Sequence, residues 1–186
     1  PNPRQAMNIF SIVHDYIDRL LPADGTMKTL LVDKDTVGII SVAYTQTMLL
    51  DRGVFLVDPV ENRTRQAMPA MRAVVFVRPT NASLKAVGEE LEAALYSSYS
   101  LCFTNVVSTE QLNQLASSDA QELVTRVEEC FADFVAVNKD LMIVAPPNAA
   151  PVTNVVARTV QGLTAACLAM KRNPLIRYQK SSDIST

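Results

Sequence analysis

The residues best suited to chemistry lie just past a short apolar run, in Leu31-Val32-Asp33-Lys34-Asp35. Two carboxylates closing a strand are the start of a phosphoryl-accepting pocket. Thr104, after a later apolar run, would supply the accompanying hydroxyl. Such a pocket also needs an aspartate after its third strand and a lysine after its fifth. Arg78 and Asn138 stand there instead. A cation in place of a carboxylate nucleophile cannot take up a phosphoryl group. His14 is the sole histidine and falls in an amphipathic helical stretch, so neither a Ser-His-Asp nor a Cys-His arrangement can be built around it. The five glycines, Gly25, Gly38, Gly53, Gly88 and Gly162, form neither GxGxxG nor a phosphate-cradling GxxxxGK loop. Cys102, Cys130 and Cys167 are odd in number and far apart, sit in apolar sequence and include no CxxC. They read as buried, reduced thiols rather than zinc ligands or a disulfide framework. No cofactor and no metal is expected. Clusters such as Glu89-Glu90-Glu92 and Glu128-Glu129 read as solvated helix faces.

The elements that must carry these residues follow from periodicity. Ile9, Ile12, Val13, Tyr16, Ile17 and Leu20 recur at helical spacing, so a helix is expected over 8–21, stopped by Pro22 and Gly25. Thr29–Val32, Val54–Val57, Ala73–Val77, Tyr99–Phe103 and Phe134–Val137 read as five short buried strands. Between them, helix is expected in the later part of 37–50 with Thr45 or Thr47 near its cap, and over 62–71. Further helices are expected from a cap at Asn81 or Ser83 to about Leu95, from Ser108 through Ala116, and over 120–131. Leu141–Val144 extends the sheet or leads out of it. Strands alternating with helical crossovers imply a parallel sheet covered on both faces, a doubly wound five-stranded α/β domain.

Composition bounds the rest. The chain has 186 residues, 48% hydrophobic and 19% charged, enough apolar material for a core. A net charge of −2 gives no reason to expect nucleic-acid binding. No apolar run is long enough to span a bilayer, and membranes are expected to be met only through partners. Residues 1–6 read as an added or disordered leader and 7–144 as the α/β domain. Residues 145–152, rich in Pro, Ala and Asn, read as a linker, and 153–186 as the start of a second domain. A helix over 155–172 carries little charge in its middle and wants burial on more than one side.

Several stretches, in one order, resemble the Sec/Munc (SM) family of SNARE regulators. They include Asp15-Tyr16-Ile17, Leu30-Leu31-Val32-Asp33-Lys34, Thr45-Gln46-Thr47 and Val77-Arg78-Pro79-Thr80. They continue with Phe103-Thr104-Asn105-Val106-Val107-Ser108 and Phe134-Val135-Ala136-Val137-Asn138. The most specific block is Thr159-Val160-Gln161-Gly162-Leu163-Thr164-Ala165, then Pro174-Leu175-Ile176-Arg177-Tyr178-Gln179. The resemblance runs from about Met7 to Ser182. It implies an arch of three domains, of which this chain holds the first and the helical start of a second α/β domain. It also implies no enzymatic activity.

The resemblance further implies a regulator of vesicle docking and fusion, cytoplasmic and peripheral on Golgi or endosomal membranes. Its partner would be a syntaxin-type, syntaxin 16-like Qa-SNARE and the SNARE complex. A syntaxin N-terminal peptide would dock in an apolar pocket at Phe103, Leu112, Leu115, Ala116, Val124 and Val127. On periodicity, Leu112, Leu115 and Ala116 form one helical stripe and Val124 and Val127 another. Two facing stripes leave either a plain core or a groove for one aromatic or leucine anchor. Syntaxin helices would meet an inner cleft at Asp33, Asp58, Arg63 and Arg65, positions that otherwise read as exposed charges. Gly38 stands where some members carry a basic residue touching closed syntaxin, a departure that removes that contact. The reading from another class is a degenerate receiver-like phosphoacceptor or other α/β enzyme domain around Asp33 and Asp35.

Overall fold

The computed structural model describes residues 8–144, 152–171, 173–175 and 177. The expected leader and nearly all of the expected linker lie outside the described residues. Five parallel strands form one sheet in the order β2-β1-β3-β4-β5: β1 Lys28–Val32, β2 Val54–Pro59, β3 Met68–Val77, β4 Tyr96–Phe103 and β5 Val124–Glu129. The chain steps from β1 outward to β2, then returns to the other side of β1 as β3. The switch point of this doubly wound sheet therefore lies between β1 and β3.

Alternation along the strands splits the core into two layers. Leu30, Val32, Val74, Phe76 and Cys102 face α1 (Ile9–Leu20) and α2 (Val37–Ala43), whose Val13, Ile17, Ile39 and Ile40 cover them. Leu31, Ala73, Val75, Tyr99, Leu101 and Phe103 face α4 (Asn81–Ala93) and α5 (Thr109–Ser118), meeting Leu84, Val87, Leu91 and Leu115. A fully buried leucine or phenylalanine contributes about 1.5–3 kcal/mol relative to an exposed one. These two layers, covering both faces of the central strands, are the main stabilising term. Caps set the helix starts. Asn8 accepts from Phe10 and Ser11 backbone N–H, and Thr45 from Met48 before α3 (Gln46–Asp51). Thr80 rather than Asn81 or Ser83 caps α4, through a bond from the Ser83 N–H.

Three expectations are corrected. Residues 62–71 form no helix. The Asn62 side chain accepts from Thr64 in a tight turn, Arg65 is drawn inward, and β3 is already running at Met68. Residues 120–131 are not helical either. Asp119 accepts from the Leu123 and Val124 N–H groups at 2.9 Å each, and Glu122 takes a left-handed φ of 55°. Together these bring the chain out of α5 and into β5, which is the true fifth strand. Phe134–Val137 does not join the parallel sheet. β6 (Val135–Asn138) turns back on β7 (Leu141–Ile143) as a separate antiparallel hairpin. β5 escapes sequence reading because it is an edge strand carrying Arg126, Glu128 and Glu129, with none of the unbroken apolar run of a central parallel strand.

The long helix α6 (Val152–Ala169) is seated on the rest of the molecule. Ala165 and Ala166 are buried, and a Cβ on Gly162 would stand 2.4 Å from the Val144 carbonyl oxygen. Asp133, buried, receives Arg158 of α6 at 2.8 Å, while Arg78 at the end of β3 approaches it at 3.5 Å. Arg78 also reaches Gln161 of α6. Burial pushes the Asp133 carboxyl up, against the opposing pull of Arg158 and Arg78. On the other flank Arg65, its side chain 3% exposed, lies between Asp58 and Glu90. Tyr99 donates to the Glu90 carboxylate at 3.2 Å.

Two outcomes follow from these contacts. Arg65→Met leaves the buried Glu90 carboxylate without its cation and should cost about 3–5 kcal/mol in urea unfolding, whereas Arg65→Met with Glu90→Leu should recover much of that loss. Additive losses in the double variant would contradict a paired burial. Gly162→Ala should displace α6 and raise its amide exchange while the parallel sheet keeps its protection. Unchanged exchange in α6 would show that the close approach to Val144 is dispensable.

Candidate functional site

Helix α5 starts in a capping box: Ser108 accepts from the Gln111 N–H and the Gln111 side chain accepts from the Ser108 N–H. That fixes the helix phase. Leu115 turns into the core, and Leu112, 37% exposed, and Ala116 turn toward β5. On β5, Tyr99 pairs with Val124 but Ser100 pairs with Arg126, so Thr125 is an extra residue in the ladder. Its hydroxyl donates to the Tyr99 carbonyl at 3.1 Å. In a regular strand, residues three apart point to opposite faces. The bulge puts Val124 and Val127 on one face, beside Tyr99 and Leu101.

Between α5 and β5 lies a groove of about 740 Å³, within the range of roughly 300–1,000 Å³ that holds small ligands or a peptide anchor. Leu91, Leu101, Val107 and Leu115 form its floor, and Leu112, Ala116, Val124 and Val127 its walls. Asn113, Asp119, Glu128 and Glu129 rim it. Of the six residues expected at a pocket, five line this groove. Phe103 does not; it is fully buried in the core behind. The expectation of two facing helical stripes is corrected, since the second wall is a bulged strand. Leu91, Leu101 and Val107 were missed as floor residues. The alternation of Tyr99, Leu101 and Phe103 assigns them one face, but only the sheet order shows what that face meets.

The four charges expected at an inner cleft separate. Asp33, 2% exposed, is an internal tie. Its carboxylate accepts from the Asp35 and Thr36 N–H groups on one oxygen and from the Arg78 N–H and the Ser83 hydroxyl on the other, all within 3.0 Å, while the Thr36 hydroxyl donates to the Phe76 carbonyl at 2.7 Å. Two donors on each oxygen leave none free for a phosphoryl group, which removes the geometric basis of the phosphoacceptor reading. Arg65 is buried on Asp58 and Glu90, and Asp58 also accepts from Asn62 at 2.9 Å. Arg63 alone stays at the surface, paired with Glu89. The expectation of exposed charge therefore fails at Asp33 and Arg65, because each satisfies a buried partner that sequence spacing does not reveal.

His14 lies between Phe10 and Tyr44, with ring centroids 4.9 and 4.6 Å away and the rings tilted by 52° and 48°. Among the described residues there is no group of three His, Cys, Asp or Glu side chains able to hold a metal, and no helix long and apolar enough to cross a membrane.

Comparison with known proteins places this arrangement. The Sec1 family model matches residues 28–186. Vacuolar protein sorting-associated protein 45 of Dictyostelium discoideum is 36% identical over 182 residues, covering 95% of this chain and 32% of the relative. The human protein of that name is 37% identical over the same length and coverage. The solved structure of the SM protein Vps45 in complex with the Qa SNARE Tlg2 superposes with a TM-score of 0.89 at 35% identity, over 96% of this chain and 33% of that one. The chain spans about a third of the length of the relatives it matches. With the family model covering most of its residues and the same sheet found in a solved member, this chain belongs to the Sec1 family.

Proposed function

We propose that this chain is the SNARE-binding first domain, with the start of a second, of a regulator of vesicle docking and fusion in trans-Golgi, endosomal or vacuolar transport. Its partner is a syntaxin-type Qa-SNARE, held in part through the SNARE's N-terminal peptide. The observation that carries this reading is the α5–β5 groove. It is apolar in its floor and walls, open at the surface, and built by a capping box and a bulge rather than left by loose packing. An extended peptide with one aromatic or leucine anchor fits such a site. The relative solved with a Qa SNARE, 35% identical to this chain, supports the partner class.

The protein acts by binding, not by catalysis, from the cytoplasmic side of Golgi or endosomal membranes and without an anchor in the residues described here. A second contact with syntaxin helices runs through Arg63 and the outer edge of Asp58, with Arg65 and Asp33 holding the surface from beneath. After the 145–152 linker α6 opens the next domain, and the ion cluster at Asp133 joins it to the first.

Leu112→Arg tests the groove. Leu112 is part exposed, so stability should change by no more than about 0.5 kcal/mol. Affinity for a labelled Qa-SNARE N-terminal peptide, read by fluorescence anisotropy, should fall by at least about tenfold, equivalent to 1.4 kcal/mol. Equal binding by the folded variant and the parent chain would exclude this groove as the docking site.

A further inference from the structure

Two buried nucleophiles take no part in the groove or the ion clusters. Cys102, on β4, is 2% exposed, and Cys130, one residue beyond β5, is 6% exposed. Both are free thiols, and their sulfurs lie 3.0 Å apart. The ladder explains the contact. Cys102 pairs with Glu128, and the Cys130 N–H donates to the Phe103 carbonyl at 2.8 Å. The two cysteines are thus diagonal neighbours on adjacent strands, on the face that packs under α1. Diagonal neighbours on adjacent strands stand about 7–8 Å apart at Cα, just beyond the usual span of a disulfide, so bond formation asks that the sulfurs close by about 1 Å and that the chain at Cys130 draw in toward β4.

We propose that Cys102 and Cys130 are an oxidisable dithiol whose disulfide fastens the edge strand β5 to β4. The co-reactant is hydrogen peroxide. Cys130, the more exposed thiol, displaces hydroxide from the peroxide oxygen; with its own proton this leaves as water, and the sulfur becomes a sulfenic acid. The Cys102 sulfur then attacks that sulfur, a second water leaves, and the S–S bond forms. Two thiols are oxidised and one peroxide is reduced, in balance.

Two features set the conditions. The hydrogen bond to Cys130, and then burial, push the Cys102 thiol well above its ordinary value, so it is a slow nucleophile while the strand is closed. β5 has a neighbour on one side only, and opening of such an edge is what admits the oxidant. The dithiol therefore resists casual oxidation and responds to sustained exposure. The crosslink lands one residue past Glu129, at the end of the strand that supplies one wall of the groove.

The test uses the whole chain and a Cys167→Ser variant, each incubated with hydrogen peroxide, quenched, denatured and alkylated with iodoacetamide. In the variant, Cys102 and Cys130 should both escape alkylation, leaving a protein about 2 Da lighter than its untreated form, reversed by dithiothreitol. Peptide mapping of the parent chain should show Cys102 joined to Cys130, and amide exchange over Val127–Glu129 should slow by about tenfold. Full alkylation of both residues, a product stalled at sulfinic acid on one cysteine, or a disulfide made through Cys167 would each overturn the proposal.

Discussion

The carboxylate of Asp33 is the constraint on which the arrangement of this domain depends. It sits where β1 ends, at the switch point of the sheet, and accepts four hydrogen bonds from four other residues. Those donors lie at the start of α2, the end of β3 and the first turn of α4. One side chain therefore joins both halves of the doubly wound fold where they diverge. In open α/β sheets the crevice at this point is where ligands usually bind. Here the crevice holds a saturated carboxylate and lacks the glycines a phosphate would need. The Asp33 carboxylate is here a structural tie, and the groove proposed for recognition lies on the flank of the sheet.

The flanks are set by ion clusters with the same logic. Arg65 between Asp58 and Glu90 fastens the loop after β2 to α4, while Asp133 between Arg158 and Arg78 fastens α6 to the end of β3. Buried pairs of this kind add little net stability over a well-packed apolar alternative. They do fix which surfaces meet, because a misplaced element would leave a charge unpaired. Such fixed contacts suit the binding role proposed for this domain.

Much of the fold was legible in the sequence. The central strands are buried on both faces and read as apolar runs; the first helix shows a clean stripe; Ser108 marks a helix start. What escaped reading did so for identifiable reasons. β5 is charged on its open edge and bulged at Thr125, so its period is broken, and a helix was read in its place. The run Phe134–Val137 is apolar enough for the sheet, but its position is decided by β7 and by Asp133, which no local pattern shows. Five of the groove residues were reached through family resemblance, and the geometry brings them together by a route that periodicity did not anticipate. Asp33 and Arg65 read as exposed charges because the partners that bury them, Arg78 and Ser83 for Asp33 and Glu90 for Arg65, lie 25 to 50 residues away. The contact of Cys102 with Cys130 crosses two strands and leaves no spacing motif at all.

The proposed site for the SNARE's N-terminal peptide is the α5–β5 flank, while the Asp33 carboxylate at the switch point is saturated by its own chain. The most direct test is an amide chemical-shift map of the isotopically labelled chain, recorded as a Qa-SNARE N-terminal peptide is added. The account predicts shifts concentrated at Leu112, Ala116, Val124 and Val127, with Asp33, Thr36 and Ser83 unmoved. Shifts centred on Asp33 and its neighbours, or a saturating response that leaves α5 and β5 untouched, would contradict it.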